Sequence, residues 1–216
     1  VLLWGDSFAA HYVPGLEPNA QKIQANVIQY TYAGCPPDLT YFSYARPACT
    51  RFNERALSII RDANIQAVIL SGRWTDYQAR GFDGLQKTID RLRGMGVKVY
   101  TVGQSPEFIA DVQKIAFLVR REHAGTTSWP MAMDPDINAR VLPFTKGADF
   151  IDPLTYLCDS AGCSYADATT NEFLYFDYGH FSSAGATLAI SKYWPSFATS
   201  NEVAEAKRQF TAAGAP

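Results

Sequence analysis

Val1-Leu2-Leu3-Trp4-Gly5-Asp6-Ser7 decides how the chain is read. Its apolar start reads as a strand buried on both faces. Gly-Asp-Ser then ends that strand and delivers a serine to a turn. A free serine hydroxyl is a poor nucleophile and needs a base within hydrogen-bond reach. Far along the chain, Asp177-Tyr178-Gly179-His180-Phe181-Ser182-Ser183 places a carboxylate three residues before a histidine. Nucleophile, base and a carboxylate to orient the base are the parts of a serine acyl-transfer site.

Outward from the first strand, short β-rich apolar runs recur at 26–32, 66–71, 97–102 and 148–151. Helical patterns separate them. Phe82, Leu85, Ile89 and Leu92 share one helical face, with Lys87 and Arg91 opposite. Gly94 and Gly96 stop that helix. Phe52, Ala56 and Ile60 form a shorter stripe. Ser105-Pro106 reads as an N-cap followed by proline at the first helical position, opening a helix with Phe108, Val112, Ile115 and Val119 on one face. Ser182 or Ser183 is expected to cap a last long helix, which Pro195 is expected to end. The segment 124–139 reads as an irregular surface loop near the site, and the tail after Ser200 as weakly helical and peripheral. Strand–helix alternation predicts an open, mostly parallel sheet with helices on both faces. Ligands bind such sheets at the carboxyl ends of the strands, where Ser7 lies.

The bulk composition agrees. At 216 residues, 47% hydrophobic and 19% charged, the chain fits one globular domain, 1–216, with a sizeable core. It starts abruptly inside a strand, which suggests a domain excised from a larger membrane protein. A net charge of −2 provides no basic field for nucleic acid. No apolar run approaches the roughly 20 residues of a membrane span. The four cysteines are Cys35, Cys49, Cys158 and Cys163. None sits in a CxxC pair, and with three histidines in the chain neither a metal site nor a cofactor is called for. Three disulfide pairings are open. Local closure favours Cys35–Cys49 and Cys158–Cys163, each flanked by turn residues. If formed, they imply an oxidising compartment; the alternative is four reduced thiols in a cytosolic protein.

Each candidate has a plainer alternative. Ser7 can be merely the N-cap of the following helix, and Asp177 and His180 a satisfied loop pair. His180 is preferred as base because it alone has a carboxylate at minus three. His11, one helical turn after Ser7, is expected to face away from the site. His123 follows Arg120-Arg121 near a helix end, where it suits the dipole. The helix after Ser7 is expected to aim backbone N–H groups, Ser7's own included, at a developing oxyanion.

These residues resemble the SGNH (GDSL-type) hydrolase-fold family, through Gly5-Asp6-Ser7 and Asp177–His180. More narrowly, the chain is similar to the SGNH domains fused behind integral-membrane acyltransferase-3 domains, which O-acetylate bacterial surface polysaccharides. Cys35-Pro36-Pro37 with Cys49, Ser71-Gly72-Arg73-Trp74, Ile151-Asp152-Pro153 with Cys158 and Cys163, and Tyr175–Ser182 carry that likeness. The resemblance implies a three-layer α/β/α fold with a flavodoxin-like sheet of about five strands, and a Ser7–His180–Asp177 triad. It implies a periplasmic or other extracytoplasmic location, with the full-length protein tethered to the inner membrane. It also implies an acetyl donor delivered by an acyltransferase-3 domain of the same polypeptide, and a glycan acceptor such as lipopolysaccharide.

The family's second block donates a glycine N–H to the oxyanion, and Gly34 is the match. A disulfide from Cys35 would brace it. The third block should supply an asparagine, but the strand end reads Gly72-Arg73-Trp74-Thr75-Asp76. Losing one such donor costs about 2.7–4 kcal/mol of transition-state stabilisation. Arg73 or the Trp74 indole N–H is the expected substitute; otherwise hydrolysis is slow, which suits passing an acyl group to a sugar. Trp74 and Tyr77, with Tyr41, Phe42 and Tyr44, are weighed as a sugar-stacking groove against simple core packing. The resulting expectation is an O-acetyltransferase working through an acyl-serine. Its rivals are a carbohydrate acetylesterase with the same triad and a catalytically silent glycan-binding module.

Overall fold

The structure is a computed structural model that describes residues 1–22, 25–122 and 125–198. The chain begins with β1 (Leu2–Gly5), α1 (Ser7–Ala10), α2 (Val13–Lys22), β2 (Ile28–Thr31) and α3 (Ala48–Asp62). It continues through β3 (Ala67–Ser71), α4 (Trp74–Tyr77), α5 (Asp83–Gly94), β4 (Lys98–Val102) and α6 (Val112–Glu122). Then follow β5 (Ser128–Trp129), α7 (Ile137–Val141), β6 (Asp149–Ile151), α8 (Leu154–Leu157), β7 (Cys158–Asp159), β8 (Gly162–Ser164) and α9 (Ser183–Ala198). The main sheet has the order β2-β1-β3-β4-β6 with every pair parallel. All five expected strands are present, each within two residues of the expected bounds.

The two-residue period of a strand sends alternate side chains to opposite faces. Leu2, Trp4, Val68 and Leu70 pack with Ala56 and Ile60 of α3 and Leu85, Ile89 and Leu92 of α5. Leu3, Ile69, Tyr100 and Val102 pack on the other side with Leu16 of α2, Ile115 and Val119 of α6, and Ala186 and Ile190 of α9. This is the three-layer α/β/α arrangement, with a core on each face of the sheet. Burying one such aliphatic side chain fully contributes about 1.5–3 kcal/mol. The indole N–H of buried Trp4 is satisfied by Asn53 Oδ1 at 3.0 Å. Asn53 also donates to the Pro36 and Asp38 carbonyls, so α3 fixes the loop after β2.

Both locally favoured disulfides are formed, Cys35–Cys49 and Cys158–Cys163. The second joins directly paired residues of β7 and β8 in a small antiparallel sheet ordered β5-β8-β7. Among the described residues, no helix is long and apolar enough to cross a membrane.

Four local expectations need correction. The helix expected from Pro106 begins at Val112. Long-range backbone bonds hold the intervening segment instead: Phe108 N–H donates to Tyr178 O at 2.8 Å and Ala132 N–H to Glu107 O at 2.7 Å. The 124–139 segment is not wholly irregular, because it contains β5 and the start of α7. Ser182 does cap α9, its Oγ accepting the Gly185 N–H at 3.1 Å, but the helix runs through Pro195 to Ala198. A proline's φ is already helical, so the chain can continue past it with the loss of one backbone bond. His11, expected to face away, is turned inward beneath the His180 loop, as described below. His123 and the tail after Ser200 lie outside the described residues.

Candidate active site

Gly5 must be glycine where β1 ends, since a Cβ there would sit 1.7 Å from the Ser71 carbonyl oxygen. Asp6 follows and caps α1, its Oδ1 accepting the Phe8 N–H at 2.8 Å. Its Oδ2 accepts the Arg73 backbone N–H at 2.9 Å and the Tyr77 hydroxyl at 2.7 Å. Burial pushes this carboxyl above its ordinary range, against the pull of those bonds. Ser7 is therefore held at the carboxyl end of β1 by a turn tied to the end of β3.

The Asp177 loop brings His180, the expected base, to it. Asp177 Oδ1 accepts the backbone N–H groups of Gly179 and His180 at 2.8 and 2.7 Å. That turn leaves Oδ2 aimed at His180 Nδ1, 2.7 Å away. His180 Nε2 lies 2.9 Å from Ser7 Oγ. The three side chains thus form one hydrogen-bonded line. Burial raises the Asp177 carboxyl, but the two N–H bonds and the imidazole outweigh it and hold the group below its ordinary value. With a carboxylate on Nδ1, the tautomer with Nδ1–H leaves Nε2 as the acceptor for the serine proton.

Other expected site residues stand differently. Gly34 sits in the loop after β2, the strand beside β1, with φ +70 and Arg46 packed where a Cβ would be. The Cys35–Cys49 bridge anchors that loop to α3. Trp74 is excluded both as an oxyanion donor and as a stacking surface. It is 2% exposed, and its indole N–H donates to Val102 O at 2.9 Å. Tyr77 is likewise buried, with its hydroxyl on Asp6, and offers no face to a sugar. Arg73 lies beside the site but its donors are engaged. Its backbone N–H is on Asp6, and its fork binds Glu107 through Nε at 3.0 Å and Nη2 at 2.7 Å. Its guanidinium also leans on the rings of Phe8 and Tyr178. The expectation that Arg73 replaces the missing asparagine is thus not met by its present contacts.

One residue escaped the sequence reading, and another was misplaced by it. Glu107 gathers Arg73, Thr75 Oγ1 and Gln104 Nε2, tying the β3 end to the loop after β4. Nothing in local spacing marks it, because Arg73 is 34 positions away. His11 is buried, and its Nδ1 accepts the Phe181 N–H at 3.3 Å. Burial, helped by His180 nearby, holds its imidazole well below the ordinary value of 6.5. Among the described residues, no group of His, Cys, Asp and Glu is arranged to hold a metal ion.

The fold is shared with known structures. The periplasmic domain of a lipopolysaccharide acetyltransferase from Salmonella ser. Paratyphi A superposes with a TM-score of 0.75 at 19% identity, covering 91% of this chain and 82% of that one. A Streptococcus pneumonia protein assigned as a platelet activating factor gives 0.52 at 11% identity, covering 90% and 81%. A Bacteroides fragilis protein assigned as an acylhydrolase gives 0.50 at 12%, covering 88% and 83%. At these identities the likeness is one of fold. Comparison with curated protein sequences finds no match. Over residues 1–195 the sequence matches the family described as SGNH domain (fused to AT3 domains), and the chain belongs to that family of serine-type acyl enzymes.

Proposed function

We propose that this domain is an O-acyltransferase that moves an acetyl group through Ser7 to a hydroxyl of a bacterial cell-surface glycan. The observation that carries the reading is the unbroken line Ser7 Oγ–His180–Asp177, at 2.9 and 2.7 Å. His180 Nε2 takes the Ser7 proton as Oγ adds to the acetyl carbonyl. The backbone N–H groups of Ser7 and Gly34 stabilise the oxyanion. Collapse breaks the bond to the donor oxygen, which leaves with the proton held by His180. His180 then deprotonates the acceptor hydroxyl, which attacks the acyl-serine. The ester forms on the glycan, and Ser7 recovers its proton. Asp177 holds the ring in the required tautomer and stabilises the imidazolium.

Membership of a family fused to AT3 domains supports a membrane acyltransferase-3 domain of the same polypeptide as the source of acetyl groups. Two disulfides and the periplasmic origin of the Salmonella relative support an extracytoplasmic location, and the fusion to AT3 domains supports a tether to the inner membrane. That relative belongs to a lipopolysaccharide acetyltransferase, which supports a surface glycan as acceptor.

The test compares wild type with Ser7→Ala for acetyl release from p-nitrophenyl acetate, with and without added glycan. Release that depends on Ser7, with acetyl recovered on the glycan, is the expected result. Acetate as the sole product in both cases makes the domain an esterase. Equal release from both proteins removes the Ser7 mechanism.

A further inference from the structure

We propose that Phe176 is a stacking platform for a pyranose ring of the acceptor glycan, beside the base. The proposal deepens the acyl-transfer reading and rests on it. Of the aromatic residues that the sequence offered for this task, Trp74 and Tyr77 are buried and spoken for, whereas Phe42 and Tyr44 are exposed but pack on each other rather than on the imidazole. Phe176 is 61% exposed. Its ring lies 5.5 Å from the His180 imidazole and nearly parallel to it, at 16°.

An isolated exposed apolar residue is ordinary and argues nothing by itself. The mounting of Phe176 is what distinguishes it. Its N–H donates to the His180 carbonyl at 3.0 Å. Its own carbonyl accepts Gln113 Nε2 at 3.4 Å. The residue before it, Tyr175, is bridged to Phe181, and the carbonyl of the residue after it, Asp177, accepts the Val112 N–H. An exposed ring therefore rides on backbone fixed from both sides. Rigid aromatic surface binds with little further loss of conformational freedom.

Position supplies the ligand class. The acceptor must bring a hydroxyl to His180 Nε2 while the acetyl group sits on Ser7 Oγ, 2.9 Å away. The sugar bearing that hydroxyl, or its neighbour along the glycan, then lies within a ring or two of the imidazole. Phe8 packs on the imidazole at 4.6 Å, and the Tyr178 ring is held under the Arg73 guanidinium at 5.1 Å. Among the described residues, Phe176 is the well-exposed ring that packs on the His180 imidazole. A pyranose presents a face of C–H bonds whose positive edges suit the electron-rich face of an aromatic ring, and stacking removes both surfaces from water. A seated sugar also displaces the water that would otherwise attack the acyl-serine.

The test uses methyl β-D-galactopyranoside as probe. Saturation-transfer NMR on the Ser7→Ala protein should show contact between the sugar C–H face and the aromatic envelope. Adding Phe176→Ala should weaken binding roughly threefold to tenfold, and Phe176→Trp should restore it. In proteins that keep Ser7, acetyl from p-nitrophenyl acetate is partitioned between the galactoside and methanol, which has no ring to stack. Phe176→Ala should lower the galactoside-to-methanol ratio by a similar factor, and Phe176→Trp should recover it. An alanine variant that binds and partitions like wild type, or a tryptophan variant that fails to recover either property, overturns the platform. Absence of any acetyl transfer from Ser7 instead overturns the acyl-transfer reading, and the NMR comparison still decides whether Phe176 binds a sugar.

Discussion

The Asp6 carboxylate accepts the backbone N–H of Arg73 at 2.9 Å, which locks the Ser7 turn to the end of β3. The same oxygen takes the Tyr77 hydroxyl, and the other caps α1. Asp6→Asn turns an acceptor into an N–H donor facing donors. Leaving such buried groups unpaired costs about 1–3 kcal/mol. Urea midpoints should show that loss for Asp6→Asn and about 1 kcal/mol for Tyr77→Phe. The double variant should cost less than the sum, because both changes act on one oxygen. Simple additivity would mean that Tyr77 and Asp6 contribute independently.

Asp177→Asn tests the base. An amide can keep its oxygen toward the Gly179 and His180 N–H groups, so the turn should persist. Its NH2 then donates to Nδ1 and forces the wrong tautomer, which costs about 10⁴-fold in kcat in a comparable triad. Stability should respond separately. The Asp177 carboxyl is held below its ordinary value of 3.8, so its contribution is complete above that pH and fades as pH falls through the lower folded value. The stability gap between wild type and Asp177→Asn should therefore close below about pH 3.8. A gap that persists unchanged in acid would show that the carboxylate interactions are not its source.

Where local spacing sets the geometry, the sequence was readable. Asp177 and His180 sit three apart because one carboxylate oxygen closes a turn onto the Gly179 and His180 N–H groups while the other meets the ring. The five strands were visible because strands covered on both faces are nearly continuously apolar. Trp74 and Tyr77 were misread because a strand end does not reveal which way the next turn rotates its side chains. The single turn of α4 carries both into the interior. Ser105-Pro106 carries a valid helix-start signature that lost to backbone bonds from Tyr178 and Ala132, both remote in sequence. His11 was expected to face away, but it continues the turn of α1 with helical dihedrals and its N–H on Ser7 O at 3.1 Å, and residues four apart share a helix face, so it lies on the same side as Ser7, under the His180 loop.

Burial makes His11 a source of acid sensitivity. Its buried imidazole is neutral in the folded state, whereas the unfolded chain takes up a proton near pH 6.5. Below that value the unfolded state binds more protons, so stability falls as pH falls. The slope for one such group approaches about 1.4 kcal/mol per pH unit. His11→Asn keeps an acceptor for the Phe181 N–H and removes the titration. Urea unfolding between pH 7 and pH 5 should give a steeper decline for wild type than for the variant. Parallel curves would mean that His11 takes up its proton in the folded protein as readily as in the unfolded chain.

The two disulfides should differ in what they support. Closing the Cys35–Cys49 loop, with a sequence separation of 14, contributes about 3 kcal/mol by chain entropy. The Cys158–Cys163 loop, with a separation of 5, contributes about 2 kcal/mol. Alanine at both positions of each pair should reproduce that order in thermal unfolding. Activity should separate them further. Cys35 adjoins Gly34, the proposed oxyanion donor, and Arg46 and Asn53 pin the same loop from the α3 side. Loss of the first bridge should lower kcat for acetyl release, with KM much less affected, because a loosened donor weakens the transition state more than the ground state. Loss of the second, which staples β7 to β8 in the small sheet, should leave kcat nearly intact. An equal fall in kcat for both variants would show that the bridge acts through global stability, and Gly34 would lose its place in the oxyanion hole.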